Sequence, residues 1–121
     1  MSQQSIRPNY GEFSCESDAL QAVVSRLVGA LDPHAIWLFG SRARGNARPD
    51  SDFDLLVVAK SDGIFGSDDY DLVDAPLRNT GIGADVVPCD LKVFEVSMGL
   101  ETSFVAQIVQ GGRLVYGGLP E

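Results

Sequence analysis

Two aspartates separated by one residue stand at the start of an apolar run. Asp52 and Asp54 lead into residues 55–58, which are Leu-Leu-Val-Val. Because successive side chains of a β-strand point to opposite faces, these two carboxylates point the same way. Carboxylates held side by side repel each other unless a cation lies between them. Mg²⁺ binds through one or two carboxylates together with substrate phosphates, so the pair predicts metal-dependent chemistry at a phosphate.

A Gly-Ser pair supplies the complementary half of such a site. Gly40 and Ser41 follow the apolar run 35–39, and ten residues separate Ser41 from Asp52. Glycine lets the backbone approach a phosphate closely, and the N–H groups that open the next helix can hold it together with the Ser41 hydroxyl. We therefore expect a phosphate group to bind at this turn.

The chain is acidic, with a formal net charge of −8, which argues against broad nucleic-acid binding. This charge suits a basic protein partner. Cationic residues are nevertheless concentrated after the Gly-Ser pair, where three of the nine lie within seven positions: Arg42, Arg44 and Arg48. The planar guanidinium group suits phosphate, so we expect at least one of the three to contact phosphate.

The combined pattern resembles a known family. Gly-Ser, ten residues and then Asp-x-Asp is similar to the nucleotidyltransferase superfamily related to DNA polymerase beta. The fuller pattern, Gly-Ser-x-Ala-Arg-Gly followed by Ser-Asp-x-Asp-Leu, resembles its minimal MNT branch, whose small members pair with a HEPN-domain partner, often as antitoxin to a HEPN ribonuclease. The motif covers about a sixth of the chain, and the similar order of elements extends over most of residues 17–116.

Asp85 is the candidate third carboxylate. It lies in a predicted strand, 82–87, between Ala84 and two valines. By itself it could be an aspartate at a strand end that faces water. In the family, such a strand lies beside the Asp-x-Asp strand and completes a triad. The resemblance thus implies that Asp52, Asp54 and Asp85 are catalytic and hold two Mg²⁺ ions, with Mn²⁺ as a substitute and ATP as substrate.

The resemblance also implies a partner. Larger relatives carry a second domain for the acceptor, and no segment here is long enough to form one. We therefore expect AMP transfer from ATP to a hydroxyl group on a HEPN toxin, within a hetero-oligomer. The alternative is a non-catalytic antitoxin that neutralises a HEPN partner by covering it. A weaker option is adenylyl transfer to a small molecule or an RNA end.

Composition limits the class of protein. With 121 residues and 45% hydrophobic residues, the chain can form one domain with its own core. Its apolar runs are too short to span a bilayer, and its polar start is no signal peptide. Two cysteines, Cys15 and Cys89, make no disulfide scaffold. We expect a cytoplasmic protein with a flexible N-terminus, 1–15, and a nucleotidyltransferase domain, 16–121.

The elements that position these residues follow from apolar spacing and breaker residues. A helix is predicted from Asp18, with Asp18 and Gln21 as a capping box and Pro33 as its stop. Leu91–Val96 is ambiguous. The other predictions are strands 35–39, 52–59, 82–87 (closed by Pro88) and 113–116, and helices 41–45, 68–79 (kinked or ended by Pro76) and 97–111.

Together these elements predict an α/β (α+β) fold. A small mixed β-sheet carries helices mainly on one face, as expected for a polymerase beta-like nucleotidyltransferase fold.

Overall fold

A four-stranded mixed sheet is the centre of the computed structural model, which describes residues 8–117. The sheet order is β3-β2-β1-β4, with β1 antiparallel to β2 and β4, and β2 parallel to β3. The predicted mixed sheet is therefore confirmed. The strands are β1 (Ala35–Phe39), β2 (Phe53–Val58), β3 (Ala84–Cys89) and β4 (Arg113–Gly117).

Five α-helices connect and cover these strands. A 3₁₀ turn, Ala75–Leu77, continues the third of them. The predicted short helix after the Gly-Ser pair is confirmed. The helices are α1 (Glu16–Leu31), α2 (Ser41–Arg44), α3 (Tyr70–Asp74), α4 (Leu91–Met98) and α5 (Phe104–Gly111).

Helices cover both faces of the sheet, whereas the sequence analysis placed them mainly on one. Ile36 and Leu38 of β1 pack in one buried cluster with α1 and α3. Ala35 and Trp37 of the same strand pack in a second cluster with α4 and α5. The physical reason is that β1 and most of β2 are continuous apolar runs, and such runs are typical of strands buried on both faces.

The predicted capping box at the start of α1 is wrong. The helix begins at Glu16, with Cys15 as the N-cap residue and no side-chain cap, so Asp18 lies inside the first turn. Glu16 and Asp18 there place negative charge near the positive end of the helix dipole. The predicted stop is confirmed, since the helix ends at Leu31, two residues before Pro33.

The second half of the chain differs from the prediction at three places. Pro88 lies inside β3 instead of closing it, which is tolerated because β3 is an edge strand. Residues 97–111 do not form one helix. Asp90 and Ser103 cap α4 and α5 separately, by accepting bonds from the N–H groups of Val93 and Ala106.

The third difference is the helix predicted over 68–79. It is shorter, because α3 begins at Tyr70 and Pro76 lies in the 3₁₀ turn that ends it. Of the N-terminal segment 1–15, residues 1–7 lie outside the described part, and residues 8–15 contain no helix or strand. None of the helices within 8–117 has the length and apolar character required to cross a bilayer.

Candidate active site

Strand register brings the predicted carboxylates to one end of the sheet. In the parallel pair of β2 and β3, Asp54 lies opposite Asp85. Asp52 is the residue before β2, on the same side of the chain as Asp54. The side chains of Asp52 and Asp85 are exposed, while that of Asp54 is partly buried. The three aspartates named from the sequence are therefore neighbours in the structure.

The charges of these groups act on one another. The pKa of Asp54 is raised, first by burial and then by the negative charges of Asp85 and Asp52. The positive charge of Arg44 opposes this rise. The site is thus a set of mutually repelling carboxylates with one cation nearby, which is an arrangement that a bound metal ion would stabilise.

Gly40 places the turn after β1 directly against this set. Phe39, the last residue of β1, lies opposite Asp54 in the sheet. Gly40 has a φ of 75°, and a Cβ atom at this position would collide with the Asp54 carboxylate. Glycine is therefore required for two reasons, the backbone conformation and the close approach. Ser41 opens α2 next to it.

Arg42 does not face this site. Only 4% of the residue is exposed, and its guanidinium lies 4.3 Å from the centre of the Phe53 ring and 5.3 Å from that of Tyr10. It forms an ion pair with Glu16 at 3.3 Å. Its remaining donors bond to the backbone carbonyl groups of Arg48, Pro49 and Ser51. The structure thus makes Arg42 a support of the loop that leads to Asp52, which differs from the expected phosphate contact.

Arg44 and Arg48 have exposed side chains. Arg44 lines a cavity of about 250 Å³ beside the turn, whose other lining residues are Phe39, Gly40, Phe104, Gln107, Ile108 and Gly111. The α5 residues among them were not predicted from the sequence to belong to the site. A larger groove of about 790 Å³ between α1 and β4 contains none of the predicted site residues.

Asn9 also belongs to this site, although the sequence did not predict it as a site residue. Its side chain donates to Asp52 Oδ1 at 3.3 Å and bonds to the backbone of Gly83, just before β3. No local pattern marks this residue, because its partners lie 42 to 74 positions further along the chain.

The chemistry of the donor set is that of an oxygen-ligand metal site. Within residues 8–117, no three acidic, histidine or cysteine side chains converge closely enough to make a ready-made metal-binding group. Carboxylate oxygens at an open position nevertheless suit Mg²⁺, which takes further ligands from water and substrate phosphates. Asp52, Asp54 and Asp85 are the residues that would hold it.

Comparison with known proteins agrees with this geometry. The family model described as polymerase beta, nucleotidyltransferase matches residues 21–118. A crystal structure of a provisionally assigned nucleotidyltransferase from Sulfolobus solfataricus superposes with a TM-score of 0.54 at 21% identity, over 81% of this chain and 77% of the other.

A crystal structure of a toxin–antitoxin with AMP-PNP superposes with a TM-score of 0.50 at 22% identity, over 81% of this chain and 73% of the other. At these identities the two structures show a shared fold. No protein of curated function matches the sequence. The family match, which includes the Gly-Ser turn and all three aspartates, shows that the chain belongs to the polymerase beta-like nucleotidyltransferase family.

Proposed function

We propose that this protein transfers AMP from ATP to a hydroxyl group of a partner HEPN-domain toxin, and so acts as the antitoxin of the pair. The single observation that carries the proposal is the pairing of Asp54 with Asp85 across β2 and β3, with the Gly40 turn packed against Asp54. This arrangement places the carboxylates next to the backbone of the Gly-Ser turn, where charge on a phosphate could be neutralised.

In this reaction the acceptor oxygen bonds to the α-phosphorus, the bond from that phosphorus to the β-phosphate oxygen breaks, and pyrophosphate leaves. Two Mg²⁺ ions, or Mn²⁺, would neutralise phosphate charge when bound. Gly40 and Ser41 hold the phosphates, and Arg44 adds positive charge beside them. Asp85, exposed on the edge strand, is placed to accept the proton of the acceptor hydroxyl.

Support for a protein partner comes from the surface and from one relative. Four apolar side chains on and after α4 are exposed: Val93, Val96, Leu100 and Phe104. Val93 and Val96 share one face of α4, because residues three apart on a helix are neighbours, and we take this face as the candidate contact with the partner. The relative with AMP-PNP is a toxin–antitoxin. The net charge of −8 favours a basic partner.

The second candidate is a non-catalytic antitoxin that covers its partner. The observation that favours it is that, in the part of the chain described, the acidic side chains do not form a converged three-ligand group.

A transfer assay separates the two candidates. The protein is incubated with a candidate HEPN-domain partner, ATP and Mg²⁺, and the masses of both chains are measured by mass spectrometry. We expect adenylate increments on the partner, and we expect Asp85→Asn to slow their appearance by about a hundredfold because a proton acceptor and metal ligand is lost. Asp18→Asn, which removes an exposed charge on α1, is the matched control.

The complex should survive in both variants. If Asp85→Asn neutralises the partner as well as the unmodified protein does, and no adenylate is found with either, the enzyme proposal fails and the covering antitoxin replaces it.

A further inference from the structure

The half-buried side chain of Asn9 joins the starts of two strands. Its Nδ2 donates to the carbonyl oxygens of Ser51, at 3.1 Å, and Gly83, at 2.8 Å. Its Oδ1 accepts from the Gly83 N–H at 2.6 Å, and its own N–H donates to the Pro49 carbonyl at 2.8 Å. One residue outside the sheet therefore bonds to the backbone before β2 and before β3.

These two strand starts determine how the carboxylates stand relative to one another. Asp52 follows Ser51 directly, and Asp85 follows Gly83 by two residues. The Phe53 N–H donates to the Gly83 carbonyl at 3.1 Å, which begins the pairing of the strands. A change in the spacing at this point would move Asp52 relative to Asp85.

Gly83 leaves the room that this contact needs. A Cβ atom there would lie 2.5 Å from Asp52 Oδ1 and 2.7 Å from Asn9 Nδ2. Both distances are too short for real side chains. The carboxylate of Asp52 therefore rests against the Gly83 backbone only because no side chain stands between them.

The peptide before Asp52 is held from two sides. The Ser51 carbonyl accepts from Arg42 Nε at 3.2 Å, from Arg42 Nη2 at 2.7 Å and from Asn9 Nδ2 at 3.1 Å. A carbonyl oxygen has two lone pairs, so these three donors share them and its accepting capacity is fully used. Asn9 Nδ2 carries two hydrogens for three acceptors, and the Asp52 carboxylate, at 3.3 Å, shares one of them with the Ser51 and Gly83 carbonyl groups.

We propose that Asn9 is a positioning residue that orients the Asp52 carboxylate for the metal–nucleotide complex. The inference rests on the proposed function, since it specifies how that site is held. Asn9 acts through Asp52 and does not contact substrate. An amide suits this position because it donates to a carboxylate without adding a charge, in the manner of the hydrogen-bonded groups that orient metal ligands.

The test measures binding of Mg²⁺ with a non-hydrolysable ATP analogue to the full chain by calorimetry. Asn9→Ala removes the contact, and Asn9→Asp keeps the shape but replaces the donor with a like charge. We expect both to weaken binding about ten- to hundredfold, with Asn9→Asp the weaker binder. Gly83→Ala should have the same effect by displacing Asp52 and Asn9 together.

Thr80→Val is the matched control. Thr80 lies on the same approach to β3, where its hydroxyl donates to the Leu77 carbonyl at 2.7 Å and accepts from the Ile82 N–H at 3.1 Å, with no bond to a site carboxylate. We expect a lower melting temperature and binding within about twofold of the unmodified protein.

The outcomes distinguish failure of the proposed role of Asn9 from failure of the proposed function. If the unmodified protein binds the analogue and the Asn9 variants bind it equally well, or lose no more affinity than Thr80→Val, the role of Asn9 is refuted and the proposed function stands. If the unmodified protein does not bind the analogue with Mg²⁺, the proposed function fails and the inference fails with it. If Asn9→Ala does not fold, Asn9→Asp decides, because Gly83→Ala displaces Asp52 directly.

Discussion

Asp54 is a carboxylate whose surroundings oppose its charge. Burial and the charges of Asp85 and Asp52 raise its pKa in the metal-free protein. The pKa of Cys89 is raised to about 11, mainly by burial and then by Asp90, in the core on the α4 side of the sheet. Burial therefore disfavours the charged form of both groups. At the candidate site a bound cation can offset this effect, and in the core it keeps the thiol protonated and unreactive.

The raised pKa of Asp54 has a consequence for stability. A carboxyl group whose pKa is higher in the folded state binds protons more readily when folded. The stability that Asp54 contributes to the fold is therefore complete below its pKa in the unfolded chain, about 3.9. It is lost as the pH rises through the higher pKa of the folded protein. At neutral pH the ionised carboxylate destabilises the metal-free fold.

We expect Asp54→Asn to raise the melting temperature of the metal-free protein by about 2 °C at pH 7, and by nothing near pH 3. Mg²⁺ with ATP should raise the melting temperature of the unmodified protein and leave that of Asp54→Asn unchanged, because a ligand stabilises only the protein that binds it. Thermal unfolding across pH measures both effects. A lower melting temperature for metal-free Asp54→Asn at pH 7 would contradict the electrostatic account.

The two cysteines should react very differently. Cys15 is exposed and Cys89 is buried. With a pKa of about 11, the Cys89 thiol is ionised in roughly one molecule in ten thousand at pH 7, and the thiolate is the reactive form. We expect a maleimide to label the native protein once, at Cys15, as measured by mass spectrometry. The Cys15→Ser variant should label only after denaturation, and rapid native labelling of that variant would show that Cys89 is accessible.

Among the elements, α2 is a four-residue helix between two glycines of positive φ. Gly45, with φ 78° and ψ 13°, is left-handed, whereas Gly40, with φ 75° and ψ −156°, lies in a region almost exclusive to glycine. Their surroundings differ, since a Cβ atom at Gly45 would meet nothing within 4 Å, whereas one at Gly40 would meet the Asp54 carboxylate. Gly45 therefore tests a left-handed backbone alone, whereas Gly40 combines a glycine-only backbone conformation with the close approach to Asp54.

We expect Gly45→Ala to lower the free energy of unfolding by about 1–2 kcal/mol, the cost of a left-handed L-residue, and Gly40→Ala to lower it by more. Only Gly40→Ala should also weaken binding of Mg²⁺ with the ATP analogue, because it pushes against Asp54. Denaturant unfolding and calorimetry measure the two quantities. Equal binding by both variants would reduce the Gly-Ser turn to a structural role.

At the scale of the whole molecule, Arg42 connects parts that are distant in the sequence. From α2 it contacts Tyr10 in the N-terminal segment, Glu16 of α1 and Phe53 of β2. Its N–H groups also donate to backbone carbonyl groups of the loop between α2 and β2. A buried guanidinium can do this because five N–H donors lie in one rigid plane.

We expect Arg42→Gln to lower the free energy of unfolding by about 2–3 kcal/mol, because it leaves buried carbonyl groups without donors. Arg44→Gln, at an exposed position, should change it by less than about 0.5 kcal/mol and should weaken nucleotide binding severalfold. Denaturant unfolding and calorimetry on both variants check this contrast. If Arg42→Gln weakened binding at unchanged stability, the phosphate contact expected from the sequence would be restored.

Features that depend on neighbouring residues could be predicted from the sequence alone. The apolar runs predicted β1 and β2, and the sheet class and the short helix after Gly40 followed from the same patterns. Asp52 and Asp54 could be assigned to one side because the alternation of side chains along a strand is a property of adjacent residues. The family could be recognised for the same reason, since its motif is a short pattern of spacing.

Tertiary structure decided whatever depends on contacts between distant residues. Asp85 was a candidate from its place in the chain, but only the strand register sets it opposite Asp54. The burial of Arg42 depends on rings and a carboxylate from three other segments. Asn9 reaches Gly83 across 74 positions. Local periodicity carries no information about such pairs, because they form only when the chain has packed.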